Sequence, residues 1–162
     1  MAEIDNDAIE VIDVIPEEEL RICLFSMGEE LYAIPVEALT EIIISQNIFP
    51  VPTTPPHVLG VINLRGNIVP IVDIRETLSL PRKSTPGQIA IIKHGPVIIG
   101  IVVDSVSEVV AVPMNKVLSI PADAGGQAGK GRSRFLKSII QREGDVAALL
   151  DVQRILEEIK LE

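Results

Sequence analysis

The sequence predicts a mostly β fold of two similar small barrels, and three observations carry that expectation. Hydrophobic residues make up 47% of the 162 residues and aromatics only 2%. The core must therefore be aliphatic and largely β-branched, which suits strands. The apolar residues come in short runs separated by Gly, Pro, Asn and charged residues, the punctuation of strands and tight turns. Three runs also end in aspartate, at Asp73, Asp104 and Asp151, an internal echo that points to duplicated corners capped by carboxylates. A chain of this length buries roughly 70% of its extended surface, so one domain, or two small subdomains on a shared core, needs no disulfide or metal.

In chain order, residues 1–19 form an acidic tail in which Ile9, Val11, Ile12, Val14 and Ile15 are apolar enough to dock elsewhere. Residues 20–26 and 31–34 read as a hairpin about the turn Met27-Gly28-Glu29-Glu30. Pro35 opens a single helical turn, and residues 41–45 are again strand-like. The proline-rich stretch 49–56 is an ordered or semi-rigid loop. Residues 58–64 and 68–72 form strands around Arg65-Gly66-Asn67, where Gly-Asn suits positive φ. Asp73 and Glu76 have capping-box spacing for a short helix through Leu80. The second half repeats the style, with strands at 88–93, 97–103, 106–112 and 116–120, then a Gly-rich loop at 124–131. A last hairpin, 135–141 with 146–150, leads into a helix at 151–161, signalled by Val152, Ile155, Leu156 and Ile159. The expected division is a tail at 1–19, a first subdomain at about 20–82, a second at about 83–150, and the C-terminal helix.

Composition removes several function classes. A net charge of −9 with few aromatics opposes nucleic-acid binding, which needs a basic footprint or stacking platforms. Neither a secretory signal nor an apolar run long enough to insert into a membrane is expected. The lone Cys23, inside Ile22-Cys23-Leu24-Phe25, reads as a buried inert thiol. His57 and His94 lie beside Gly or Pro without metal-ligand spacing, so no metal or other cofactor is expected. The Gly125–Lys130 stretch fails as a phosphate loop, because Ala124 and Gly131 occupy the positions of its first Gly and its Ser or Thr. Asp73, Asp104 and Asp151 read as caps rather than catalysts. One charged residue stands out: Arg65, in an otherwise apolar stretch, which must reach solvent or a carboxylate.

The block Gly60-Val61-Ile62-Asn63-Leu64-Arg65-Gly66-Asn67-Ile68-Val69-Pro70-Ile71-Val72-Asp73-Ile74-Arg75 closely resembles the central signature of the CheW family of chemotaxis coupling proteins. Residues 25–36, 39–43, 99–109 and 149–152 resemble further family segments in order, so the likeness spans about residues 20 to 160. It implies two five-stranded SH3-like barrels packed across an apolar seam, with short helices and a C-terminal helix. It also implies a non-enzymatic cytoplasmic adaptor, recruited to membrane-associated arrays. The implied partners are the cytoplasmic tip of a chemoreceptor and the regulatory domain of the histidine kinase CheA. Carried over by position, Glu41 and Arg65 are the charged pair of the receptor groove, with Val36, Leu39, Asn63 and Leu64 around it. Gly60 and Gly100 are the kinase-side glycines. Adaptors of pilus or gliding pathways share this pattern, and a small-molecule-binding split barrel is the rival reading from another class.

Overall fold

A computed structural model describes residues 18–44, 46–76, 78, 80, 87–120 and 135–158. The strands are β1 (Glu19–Met27), β2 (Glu30–Pro35), β3 (Leu39–Ile44), β4 (Val58–Leu64), β5 (Asn67–Val72), β6 (Gln88–His94), β7 (Val97–Val103), β8 (Ser105–Pro113), β9 (Val117–Ser119), β10 (Leu136–Arg142) and β11 (Asp145–Leu150). Single 3-10 turns at Val36–Ala38 and Met114–Lys116 precede β3 and β9, and the helix α1 (Val152–Glu158) follows β11. Most of the expected acidic tail, the Gly-rich loop and the end of the expected helix lie outside the described residues.

Two sheets form, ordered β8-β1-β2-β11-β10-β9 and β3-β6-β7-β5-β4. The fold is mostly β, as the composition requires. The count differs from two sheets of five, because the three-residue β9 adds a sixth strand by pairing with β10. Nor does the chain change sheets near residue 82. The first hairpin, β1–β2, pairs with β8 and β11 from the second half, while β3, β4 and β5 pair among themselves and with β6–β7. The physical reason is that β3 adds to β6 and β8 adds to β1, so the halves exchange strands.

That exchange explains why the strands read as unbroken apolar runs. In β1, β6 and β7 successive residues are buried on both faces, a pattern usually met in covered parallel sheets. In β1, Ile22 and Leu24 fill an interior cluster with Ala33, Val112, Ile140 and Leu149. Cys23, Phe25 and Met27 point the other way, into a central cluster shared with Ile92, Ile99, Ile101 and Val103 of the second sheet. The second sheet has its own interior in Ile62, Val69, Ile71, Ile89, Ile91 and Val102. Three layers of core result, one inside each sheet and one between them, with α1 closing the central layer through Val152, Ile155 and Leu156.

The duplication hinted at by the three aspartates is written in the registers. Leu24 of β1 pairs with Glu108 of β8, and Ile91 of β6 pairs with Glu41 of β3. Ala33 meets Leu149 in one parallel pair and Gly100 meets Ile71 in the other. Asp73 donates its backbone N–H to the His57 carbonyl at 2.8 Å, and Asp151 donates to Phe135 at 2.8 Å. The sequence agrees locally: Val36-Glu37-Ala38-Leu39-Thr40-Glu41-Ile42-Ile43 corresponds to Val103-Asp104-Ser105-Val106-Ser107-Glu108-Val109-Val110.

Candidate functional site

The β4–β5 hairpin turns on two residues, Arg65 at φ 51° and Gly66 at φ 89°, with Leu64 paired to Asn67. Two successive positive φ values are the mark of a two-residue turn whose twist suits a hairpin. The expectation had placed Gly66 and Asn67 in this role; Asn67 instead begins β5, and Arg65 takes the strained position. A left-handed conformation costs a non-glycine residue roughly 1–2 kcal/mol. The Asn63 side-chain oxygen supports the turn by accepting the Gly66 N–H at 2.8 Å.

The Arg65 guanidinium donates to a carboxylate oxygen of Glu41. These residues belong to β3 and to the end of β4, the two edges of the five-stranded sheet, so the pair closes that sheet into a barrel. In the other sheet Glu108, at the position that corresponds to Glu41, meets Arg142 of β10 at 3.6 Å. The Arg65 side chain is 68% exposed and that of Glu41 27%. An ion pair this wet contributes only about 0–1 kcal/mol, and a guanidinium held in place yet open to solvent is poised to meet a second carboxylate.

The remaining expected receptor residues divide. Leu39 packs against the central cluster, whereas Leu64 packs against the interior of the five-stranded sheet. Val36 borders a shallow cavity of about 280 Å³ with Leu20 and Arg21. The structure thus joins Glu41, Asn63 and Arg65 at one hairpin end, and does not merge Val36, Leu39 and Leu64 into one apolar patch.

Gly60 and Gly100 are both buried. At Gly60, φ is +151° and an added Cβ would lie 2.3 Å from the Phe49 carbonyl oxygen, because the 46–56 segment bridges to β4 at Phe49–Val61. At Gly100 a Cβ would meet Ile71 Cδ1 at 2.6 Å and Ile89 Cγ2 at 2.7 Å. The close approach that both glycines permit is within this chain.

Sequence reasoning missed a buried charge cluster. Arg75 is 1% exposed and grips Asp73 with a fork, Nε to Oδ1 at 2.9 Å and Nη2 to Oδ2 at 2.8 Å. Its Nη1 reaches Asp104 Oδ1 at 3.3 Å, while Asp104 Oδ2 accepts the Gly28 N–H at 2.6 Å. The Asp104 N–H donates to the Ser26 carbonyl at 2.9 Å, so the cluster ties the second sheet to the β1–β2 turn of the first. Hydrogen bonding to Asp73 holds the guanidinium above its ordinary pKa; burial opposes this, and the charges of Asp73 and Asp104 reinforce it. Of the three aspartates read as caps, Asp151 is one, its Oδ1 accepting the Arg154 N–H at 3.0 Å. Asp73 does both, its Oδ1 also accepting the Arg75 backbone N–H at 3.0 Å, whereas Asp104 serves the Arg75 side chain and the Gly28 N–H. The available signal was the Asp73-Ile74-Arg75 spacing directly after a buried strand.

Cys23 is buried, and burial pushes its thiol pKa up. Among the described residues, no helix is long and apolar enough to cross a membrane.

Residues 21–160 match the CheW-like domain. The chain is 25% identical over 154 residues to the chemotaxis protein CheW of Treponema pallidum (strain Nichols), covering 91% of this chain and 88% of that one. It is 27% identical over 146 residues to protein FrzA of Myxococcus xanthus, covering 88% and 87%. The crystal structure of the scaffolding protein TtCheW from Thermoanaerobacter tengcongensis superposes with a TM-score of 0.73 at 25% identity, over 82% of this chain and 89% of that one. With its signature on the β4–β5 hairpin and its two interlocked sheets, the chain belongs to the CheW-like domain family.

Proposed function

We propose that this protein is a non-enzymatic adaptor that couples chemoreceptors to the histidine kinase CheA within cytoplasmic signalling arrays at the membrane. The observation that carries this reading is Arg65. It sits in a strained backbone position at a hairpin tip, oriented by Glu41 yet exposed to solvent. Strain kept at an exposed charged residue marks a site under functional constraint. The receptor-facing group is Glu41, Asn63 and Arg65, and Val36, Leu39 and Leu64 add apolar contacts at separate places. Gly60 and Gly100 act on the kinase side by letting strands approach closely, not by direct contact. Adaptor contacts are many and individually weak, and an aliphatic surface with a polar rim supplies them.

The test is a pull-down of the chain on receptor signalling-tip fragments, wild type against Arg65→Ala, with thermal melts of both. A variant that melts like wild type and loses receptor binding supports the reading. Parallel loss of stability and binding contradicts it, because Arg65 would then be a structural staple.

A further inference from the structure

The six-stranded sheet leaves a backbone edge open at β9, and the chain that leads into β1 enters the fold beside it. β1 and β8 stay bonded to their ends. Glu19 pairs with Pro113, and the Met114 N–H donates to the Glu18 carbonyl at 3.0 Å. β8 then turns through Met114–Lys116 into β9 and exchanges partners, pairing with β10 at Val117–Ser119. On the side where β8 faced β1, β9 has no partner strand among the described residues. The complementary gap, beside the first half of β8, is spanned by Arg142 of β10 and Glu108.

Apolar surface marks the same place. Leu118 is 43% exposed and Met114 42%, and Lys116 between them is exposed. A row of unpaired N–H and C=O groups beside aliphatic side chains is a template for one more strand. The sequence ahead of β1 has the matching chemistry. Ile9-Glu10-Val11-Ile12-Asp13-Val14-Ile15 is dominated by β-branched residues, which fit a pleated, half-buried surface. Pro16, Glu17 and Glu18 join it to β1.

We propose that residues 9–15 continue β1 beyond Glu18 and pair antiparallel with the open edge of β9, in the same chain, closing the six-stranded sheet. The spacing fits. Leu118 lies five residues beyond Pro113, and Val14 lies five before Glu19. A 3-10 turn rises about 2.0 Å per residue against about 3.3 Å in a strand. The turn Met114–Lys116 therefore shortens its side by about 4 Å, roughly one residue, and Leu118 meets Val14 or Ile15. Pro16 then lies opposite the turn, where its missing N–H interrupts no ladder. Glu17 and Glu18 come beside Lys116, so the charges agree with the register. The added strand denies the β9 edge to other chains. It involves neither receptor nor kinase, so its failure leaves the adaptor reading untouched.

Two measurements on the full chain test the proposal. The first is hydrogen exchange at Val117–Ser119, in wild type and in Ile12→Pro with Val14→Pro. The two prolines remove ladder donors and leave β1 to β11 unaltered. The double variant is expected to exchange at least about tenfold faster at β9, with β6 and β7 unchanged. The second is cross-linking in a glutathione redox buffer, with Leu118→Cys paired in turn with Val14→Cys and Ile15→Cys; the native Cys23 is buried. A cross-link within one chain, independent of protein concentration, is expected from at least one pair, and none from a Glu3→Cys control. Equal exchange at β9 in wild type and the double variant overturns the proposal, as does the absence of a cross-link from both pairs. A cross-link formed only between two chains and lost on dilution also overturns it, because a second copy then supplies the strand.

Discussion

Replacing Arg75 by methionine probes what joins the two sheets. The substitution keeps an unbranched side chain of similar length and removes the cation bonded to the Asp73 and Asp104 carboxylates. Their side chains are 2% and 8% exposed. Removing one partner of a buried ion pair leaves an uncompensated charge and costs about 3–5 kcal/mol, against a total domain stability of about 5–15 kcal/mol. For a chain of this size that is a fall in Tm on the order of 10 °C. Urea unfolding followed by circular dichroism reads the loss as a lower midpoint. The triple variant Asp73→Asn, Arg75→Met, Asp104→Asn removes the stranded charges and keeps an oxygen for the Gly28 N–H, so it should be more stable than Arg75→Met alone. A loss below about 1 kcal/mol in the single variant, or a triple variant no better than the single, would refute the claim that a buried charge cluster locks the sheets together.

Other outcomes follow from the same geometry. Arg75→Lys keeps the charge but not the fork, and should lose about 1.5–3 kcal/mol in the same assay. Arg65→Ala should shift the unfolding free energy by less than about 1 kcal/mol, given how exposed the pair with Glu41 is; a larger loss would make the barrel closure a main source of stability. Gly60→Ala forces a Cβ into the Phe49 carbonyl at a positive φ and should cost about 1–3 kcal/mol, with faster proteolysis of the 46–56 segment as a second readout. Gly100→Ala overpacks Ile71 and Ile89, also at about 1–3 kcal/mol. Cys23 should resist thiol reagents in the folded chain and react once urea unfolds it, because its burial disfavours the thiolate.

Strand positions were legible because short apolar runs between Gly, Pro and Asn leave few alternatives. Val97–Val103 was readable as a strand buried on both sides, since it does not alternate with polar residues. The exchange of strands was not legible. Whether β3 adds to β2 or to β6 depends on contacts between distant residues, such as Ile91 with Glu41, which no local pattern encodes. Arg65 was legible as a charge in an apolar stretch, but its carboxylate partner came only with the family resemblance. Arg75 was passed over because Asp73 with Glu76 fits a cap equally well on spacing alone; only the fold brings Asp104 from β7 to the same guanidinium. Gly60 and Gly100 came only with the family resemblance, as kinase-side glycines; the approach within the chain was not legible, because the loop carrying Phe49 and the strand carrying Ile71 reach them only after folding.

The most direct test of the coupling role is kinase activity in a reconstituted mixture of receptor signalling tips, CheA and this chain. Wild type is expected to co-sediment with both partners and raise autophosphorylation of the kinase, and Arg65→Ala is expected to weaken both while melting like wild type. Wild-type protein that binds neither partner, or binds both without changing kinase activity, would contradict the coupling role.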